Sequence, residues 1–86
     1  MTHARLVTAL ASSLTLAVTA VAAPRMALAQ TAAGSAQALG LALDAAGWTE
    51  IIGTVAGDDA VLVITRSERA RRAVETRLKE TAGMPD

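Results

Sequence analysis

Two apolar segments separated by a short acidic turn constrain the fold of this chain more than any other feature of its sequence. The residues from Ile51 to Val55 and from Val61 to Ile64 are mostly β-branched or aliphatic, which is typical of strands. Between them, Gly57-Asp58-Asp59 has the composition of a turn. We therefore predict a β-hairpin with two adjacent carboxylates at its bend.

These two carboxylates indicate a cationic ligand. Asp58 and Asp59 would repel each other unless a cation or a set of hydrogen-bond donors compensated them. A guanidinium group suits this pair, because its paired N–H donors can meet one carboxylate in bidentate fashion. A solvated turn without a ligand is the alternative. A divalent metal fits less well, because no third acid lies close in sequence to supply further oxygen ligands.

A helix is predicted directly upstream of the hairpin. Ser35 is a favourable N-cap and Gly47 is a natural stop. Gln37 and Asp44 are two helical turns apart and lie on nearly the same side. Gly40, inside the helix, would permit a close approach by a neighbouring chain or a ligand. The apolar face of this helix consists of Leu39, Leu43 and Ala46.

The remaining elements complete a strand–strand–helix pattern that occurs twice. Leu14–Thr19 and Met26–Thr31 alternate larger and smaller residues with the period of a half-buried strand, and Met26 and Leu28 share one face. After the hairpin, Ser67 can cap a final helix that ends near Gly83. The predicted fold class is α+β: a two-layer sandwich in ββαββα order, with a four-stranded antiparallel sheet and both helices on one face.

The final helix is predicted to be amphipathic. Ala70, either Ala73 or Val74, and Leu78 would face the sheet. Two favourable pairs at helical spacing are expected, one between Glu75 and Lys79 and one between Glu68 and Arg72. The residues assigned to the solvated side are Arg69, Arg71, Arg72, Glu75, Arg77 and Lys79.

The N-terminal residues also resemble an export signal. The apolar segment from Leu6 to Ala23 follows Arg5, and Ala27-Leu28-Ala29 has the small-residue spacing of a signal-peptidase site. A small exported protein whose residues 1–29 are removed is therefore an alternative. The strand-like alternation within this segment favours a folded domain instead, because cleavage would leave two strands and two helices with little to cover them.

Composition limits the remaining possibilities. The chain has 86 residues, enough for one domain, and its 52% hydrophobic content includes Trp48 as the single aromatic residue. This thin core favours association with further copies. The chain has no cysteine, its formal net charge is zero, and its one histidine is His3 near the terminus. We therefore expect neither an enzyme, a metal site nor a bound cofactor, and no membrane span.

The sequence resembles the C-terminal domain of bacterial arginine repressors. The resemblance rests on Ile52-Gly-Thr-Val-Ala-Gly-Asp-Asp59, on the helix opening Gly34-Ser-Ala-Gln-Ala38 with Leu43-Asp44 downstream, and on the hairpin-like segment Leu16–Thr31. It implies a DCoH-like domain over residues 14–82, preceded by a linker remnant at residues 1–13 and followed by a tail at residues 83–86.

The resemblance also implies a function. Arginine repressors of this family are cytoplasmic transcriptional regulators of arginine metabolism whose C-terminal domains form trimers that pair into hexamers. L-arginine is the effector, and it binds between the trimers. By similarity, Asp58 grips the guanidinium group of an arginine held mainly by an opposing subunit, and Gln37 and Asp44 face the α-amino and α-carboxyl end of the ligand. The implied arginine-binding residues are Gln37, Asp44, Asp58 and Asp59, with the backbone around Ala56 and Gly57.

Two departures from the family pattern affect these expectations. Family members usually carry a winged-helix DNA-binding domain before this one, whereas here only Met1 to about Ser13 precedes it, so operator DNA would be contacted only through a missing domain. Ala60 stands where a threonine commonly follows the two aspartates. An assembly module with an inactive ligand site is therefore a third alternative, beside the arginine sensor and the exported protein.

Overall fold

The computed structural model describes residues 15–20 and 24–83, which form four strands and two helices. The predicted linker remnant at residues 1–13 and the tail beyond Gly83 lie outside these described residues, as does most of the apolar segment considered as an export signal. In chain order the elements are β1 (Thr15–Ala20), β2 (Met26–Thr31), α1 (Ala36–Ala46), β3 (Ile51–Ala56), β4 (Ala60–Thr65) and α2 (Glu68–Thr81).

The strands form one antiparallel sheet in the order β1-β2-β4-β3. The predicted α+β class is confirmed. Strand β2 lies inside the sheet, because it pairs with both β1 and β4. Ala27 and Ala29, which the export alternative assigns to a cleavage site, are fully buried on this strand. Removal of residues 1–29 would delete β1 and most of β2 and would expose the edge of β4.

Both helices pack on the same face of the sheet. On β2 and β4, every second residue is buried, small or medium-sized, and faces the helices. The larger Met26 and Leu28 lie on the opposite face. The bulk of the core comes from the helices, because the strands contribute mainly alanine and valine. The fully buried core residues on these elements are Ala27, Ala29, Ala36, Leu39, Ala42, Leu43, Val61, Val63, Val74 and Leu78.

The outer face of the sheet remains apolar and partly open. Leu62 pairs with both Leu28 and Val55 across the sheet, so their side chains share this face. Val55 is 60% exposed. Ile52 is 58% exposed and lies at the irregularity between β3 and β4, beside a shallow cavity that Met26 also lines.

Helix α1 has the predicted limits. Ser35 is its N-cap, although the serine side chain makes no capping hydrogen bond. Gly47 ends the helix in a left-handed conformation with φ of 69°, which glycine adopts without steric cost. Leu39 and Leu43 are buried as predicted, and Trp48 folds back against the core. The Arg77 guanidinium lies 4.0 Å from the centre of the Trp48 ring, in cation–π geometry.

Helix α2 differs from the prediction on its polar side. The Ser67 hydroxyl accepts a hydrogen bond from the Ala70 amide as expected, and Val74 rather than Ala73 faces the sheet. Glu75, predicted to be solvated and paired with Lys79, is instead a buried partner of Arg71 at 2.6 Å. Helical geometry allows Glu75 to pair with either Arg71 or Lys79. It pairs with Arg71, whose guanidinium also donates to the Pro24 carbonyl next to β2.

No helix within residues 15–20 and 24–83 has the length and apolar character needed to cross a membrane.

Candidate functional site

The β3–β4 turn places two carboxylates at one end of the sheet. Its closing hydrogen bond joins the Gly57 amide to the Ala60 carbonyl at 2.8 Å. Asp58 and Asp59 lie between these residues, and both are exposed. The predicted acidic hairpin is therefore confirmed, and its carboxylates are accessible to a ligand.

Backbone hydrogen bonds fix this turn against two neighbouring elements. The Asp58 carbonyl accepts from the amides of Gly34 at 3.0 Å and Ala36 at 3.3 Å, just before and at the start of α1. The Asp59 carbonyl accepts from the Thr31 amide at 2.7 Å, at the end of β2. These main-chain hydrogen bonds fix the backbone of the turn that carries the two carboxylates.

Gln37 extends the site from the turn onto α1. Its Nε2 atom donates to the Ala56 carbonyl at 3.2 Å, so the first turn of α1 is tied to the last residue of β3. Ala56 is the residue directly before the Gly57-Asp58-Asp59 turn. The contact brings Gln37 beside the acidic turn.

Asp44 lies further along the same edge of the molecule. Its Oδ1 atom accepts a hydrogen bond of 2.9 Å from the Thr54 hydroxyl on β3. The atoms of β3 that Gln37 and Asp44 contact belong to residues two apart, or roughly 7 Å along a strand. Both side chains are exposed.

Gly40 allows α1 to approach β3 closely. A Cβ atom at this position would lie 3.3 Å from the Ala56 Cβ atom and 3.6 Å from the Thr54 hydroxyl oxygen. The sequence predicted a close approach here by another chain or a ligand, and within the described residues the approaching element is β3 of the same chain. This short helix–strand distance lets Gln37 and Asp44 reach β3.

Thr54 also lies on this surface, although the sequence predicted no role for it. It belongs to the Ile52–Asp59 motif, two residues before Ala56 and therefore on the same face of β3 as Ala56. That spacing was visible in the sequence. The pairing of Thr54 with Asp44 could not be predicted, because the register between a strand and a helix that precedes it depends on tertiary packing.

The charges of the site are not compensated within the described part of the chain. The ion pairs found there all lie on α2 and involve neither Asp58 nor Asp59. In the same residues, no cluster of three or more histidine, aspartate or glutamate side chains is arranged to hold a metal ion. The site has acceptor oxygens at two places: the turn with Asp58 and Asp59, and the side chains of Gln37 and Asp44 where α1 contacts β3, which we call the α1–β3 row.

Comparison with known families agrees with this architecture. Residues 15–80 match the family described as "Arginine repressor, C-terminal domain". The match begins at β1 and ends within α2, so it spans all six elements.

Individual relatives show the same similarity. The arginine repressor of Koribacter versatilis is 49% identical over 51 residues, and that of Pelotomaculum thermopropionicum is 50% identical over 54 residues. These alignments cover 59% and 63% of this chain but only 34% and 36% of the relatives. The arginine repressor of Bacillus velezensis is 41% identical over 58 residues, covering 67% of this chain and 39% of that protein. The chain thus spans little more than a third of the length of these relatives.

Proposed function

Because this chain belongs to the arginine repressor C-terminal domain family, we propose that it binds L-arginine and couples that binding to self-association. The regulatory output is repression of arginine metabolism genes, with operator DNA recognised by a separate domain. The observation that carries the proposal is the exposed pair Asp58 and Asp59, held by backbone hydrogen bonds beside Gln37.

The chemistry of the site supports a guanidino amino acid. Asp58 and Asp59 offer carboxylate oxygens for the planar N–H donors of a guanidinium group. Gln37 and Asp44 lie along the α1–β3 row, where they are available to the amino-acid end of a bound arginine. A ligand with a charge at each end satisfies both parts of the surface.

The surroundings of the site support binding at a contact between copies. Leu41 is 68% exposed and lies on the same side of α1 as Gln37 and Asp44, since the three residues are four and seven positions apart. A partner that covered this leucine would remove its apolar surface from water beside the proposed ligand groups. We propose that the assembly is a trimer that pairs into a hexamer and that arginine strengthens the pairing, so ligand affinity and association are linked.

Calorimetric titration of the purified chain with L-arginine tests the proposal. Asp58→Asn should weaken binding by about 10- to 150-fold, because a hydrogen bond to a charged group contributes about 1.5 to 3 kcal/mol. Light scattering on the same samples should show arginine raising the mean mass of the unaltered chain.

Two controls separate the guanidinium contact from general effects. L-citrulline has a neutral group in place of the guanidinium, so it should bind weakly and respond little to Asp58→Asn. Glu80→Gln removes an exposed carboxylate on α2 and should leave arginine affinity unchanged. Equal arginine affinities of the Asp58→Asn variant and the unaltered chain would refute the role of Asp58, and absence of any binding would indicate an assembly module with an inactive site.

A further inference from the structure

Two amides of the connection between β2 and α1 meet one oxygen of the acidic turn. The Asp58 carbonyl accepts from the Gly34 amide at 3.0 Å and from the Ala36 amide at 3.3 Å. Gly34 has a φ of 80°, in the left-handed region, and Ser35 follows in a right-handed conformation with φ of −101° and ψ of −10°. Successive residues of opposite hand turn their flanking amides toward a common point, which forms a concave site for an electronegative oxygen. A peptide carbonyl of the turn fills that site.

The turn has a second anchor, and it belongs to the sheet. The Asp59 carbonyl accepts from the amide of Thr31, the last residue of β2, which is 3% exposed. Strand pairing and the core therefore set the position of this anchor. The anchor at Asp58 lacks such support, because Gly34 is exposed and, among the described residues, nothing beyond its chain neighbours lies within 4 Å of the place a Cβ atom would take. Its geometry depends on the backbone conformation of Gly34.

We infer that Gly34 is a positioning residue for guanidinium recognition, because its left-handed backbone holds the Asp58 peptide in the orientation from which the carboxylate meets a ligand. This inference rests on the proposed function and deepens it, since it names a residue outside the ligand contacts that fixes Asp58. The carbonyl and the side chain of Asp58 are attached to the same Cα atom, so a rotation of the turn moves both. Glycine adopts a positive φ without steric cost, whereas a residue with a Cβ atom is strained there.

The test compares Gly34→Ala with Gly47→Ala by calorimetric titration of the whole chain with L-arginine. Both glycines have a positive φ and open space where the Cβ atom would lie, so the two substitutions introduce the same kind of backbone strain. Gly47 ends α1 and is thus at the far end of that helix from the acidic turn. Gly34→Ala should weaken L-arginine binding by about three- to tenfold, the range for loss of one neutral hydrogen bond, and Gly47→Ala should leave the affinity unchanged.

A rescue variant and two double variants separate positioning from a general structural effect. Asparagine enters the left-handed region more readily than alanine, so Gly34→Asn should restore most of the affinity that Gly34→Ala loses. Adding Gly34→Ala to Asp58→Asn should cause little further loss, because the contact that Gly34 positions is already impaired. Adding it to Asp44→Asn, two turns further along the same helix, should cost the full factor. A general loss of folded structure would instead lower the affinity equally in both backgrounds.

A measurement without ligand tests the positioning itself. In NMR spectra, Gly34→Ala should shift the backbone amide resonances of residues 57–60, and Gly47→Ala should leave them in place. Unchanged resonances of the turn in Gly34→Ala, or equal L-arginine affinities of Gly34→Ala and the unaltered chain, would overturn the inference while leaving arginine sensing intact. If the unaltered chain bound no L-arginine, the proposed function itself would fail, and the resonances of the turn would still decide whether Gly34 sets its position.

Discussion

Adjacent arginines on α2 show how the surroundings of a side chain determine its energetic role. The Arg71 side chain is 12% exposed, donates from Nε to the Pro24 carbonyl at 2.7 Å and meets the equally enclosed Glu75 at 2.6 Å. The Arg72 side chain is 69% exposed and pairs with the half-exposed Glu68 at 2.8 Å. Both pairs have the same helical spacing, but only the first is largely removed from water.

We predict that Arg71→Met and Arg72→Met have very different effects on stability. Loss of Arg71 leaves the Glu75 charge enclosed without its partner and frees the Pro24 carbonyl, which should cost about 2 to 4 kcal/mol of unfolding free energy. Loss of Arg72 should cost less than about 0.5 kcal/mol, because exposed ion pairs are screened by water. Urea unfolding of the two variants at one protein concentration measures the difference.

The two substitutions are closely matched, since arginine and methionine have similar helix propensities and the positions are neighbours in one helix. Similar losses in the two variants would show that the Arg71–Glu75 pair contributes no more than a surface contact.

Residue types alone did not reveal this pair or the contact between Thr54 and Asp44. The sequence placed Glu75 at helical spacing from both Arg71 and Lys79, and only the packing of α2 on the sheet selects Arg71. By contrast, the acidic turn at Asp58 was predictable, because glycine and aspartate between apolar segments indicate a bend without reference to tertiary structure.

The two helices are capped in different ways at their N-termini. Ser67 caps α2 with its own hydroxyl, which accepts from the Ala70 amide at 3.0 Å. At the start of α1, the Ser35 side chain makes no such bond, and the Asp58 carbonyl on the β3–β4 turn accepts from the Ala36 amide instead. The N-terminus of α1 is therefore stabilised in part by the same turn that carries the proposed arginine ligands.

We predict that Ser67→Ala destabilises the chain by about 1 kcal/mol, the usual cost of removing a capping hydroxyl, and that Ser35→Ala has a much smaller effect. The physical reason is that only Ser67 uses its side chain on a free helical amide. Thermal or urea unfolding of the paired variants checks the prediction. A loss of about 1 kcal/mol in both would contradict it, since Ser35 would then act as a side-chain cap in solution.

The first and last residues of the helices and strands were more predictable than the faces that these elements bury. Gly47 and Ser67 marked helix ends correctly through local backbone chemistry, whereas Ser35 marked the start of α1 without using its side chain. The alternation of Met26–Thr31 identified a strand but not which of its faces meets the helices. That depends on the partner layer, and here the smaller residues face inward so that α1 and α2 can lie close to the sheet.

Within the described residues, the helices cover only one face of the sheet. Both helices occupy the inner face, and on the outer face Val55 and Ile52 are more than half exposed. In a chain of 86 residues with an alanine-rich core, one interface between helices and sheet buries little apolar surface and adds little to the free energy of unfolding. Association of copies through the outer face would bury apolar surface that the monomer leaves in water.

We therefore predict that Val55→Lys shifts the chain toward smaller assemblies. A lysine ammonium on this face would have to leave water when copies associate, and that desolvation is costly without a partner charge. Because Val55 is 60% exposed, the same substitution should change the stability of the monomer little. Sedimentation equilibrium over a range of protein concentrations, with and without saturating L-arginine, measures the shift.

Ala73→Lys provides the matched control, because Ala73 is exposed on α2 in the opposite layer and lies away from both the outer sheet face and the acidic turn. It introduces the same charge and should leave the association constant unchanged. Val55→Lys should lower that constant both with and without arginine, and L-arginine should still raise it in the variant. Equal masses for the unaltered chain and both variants would place the association surface elsewhere, either on the side of α1 that carries Leu41 or at the edge strands β1 and β3.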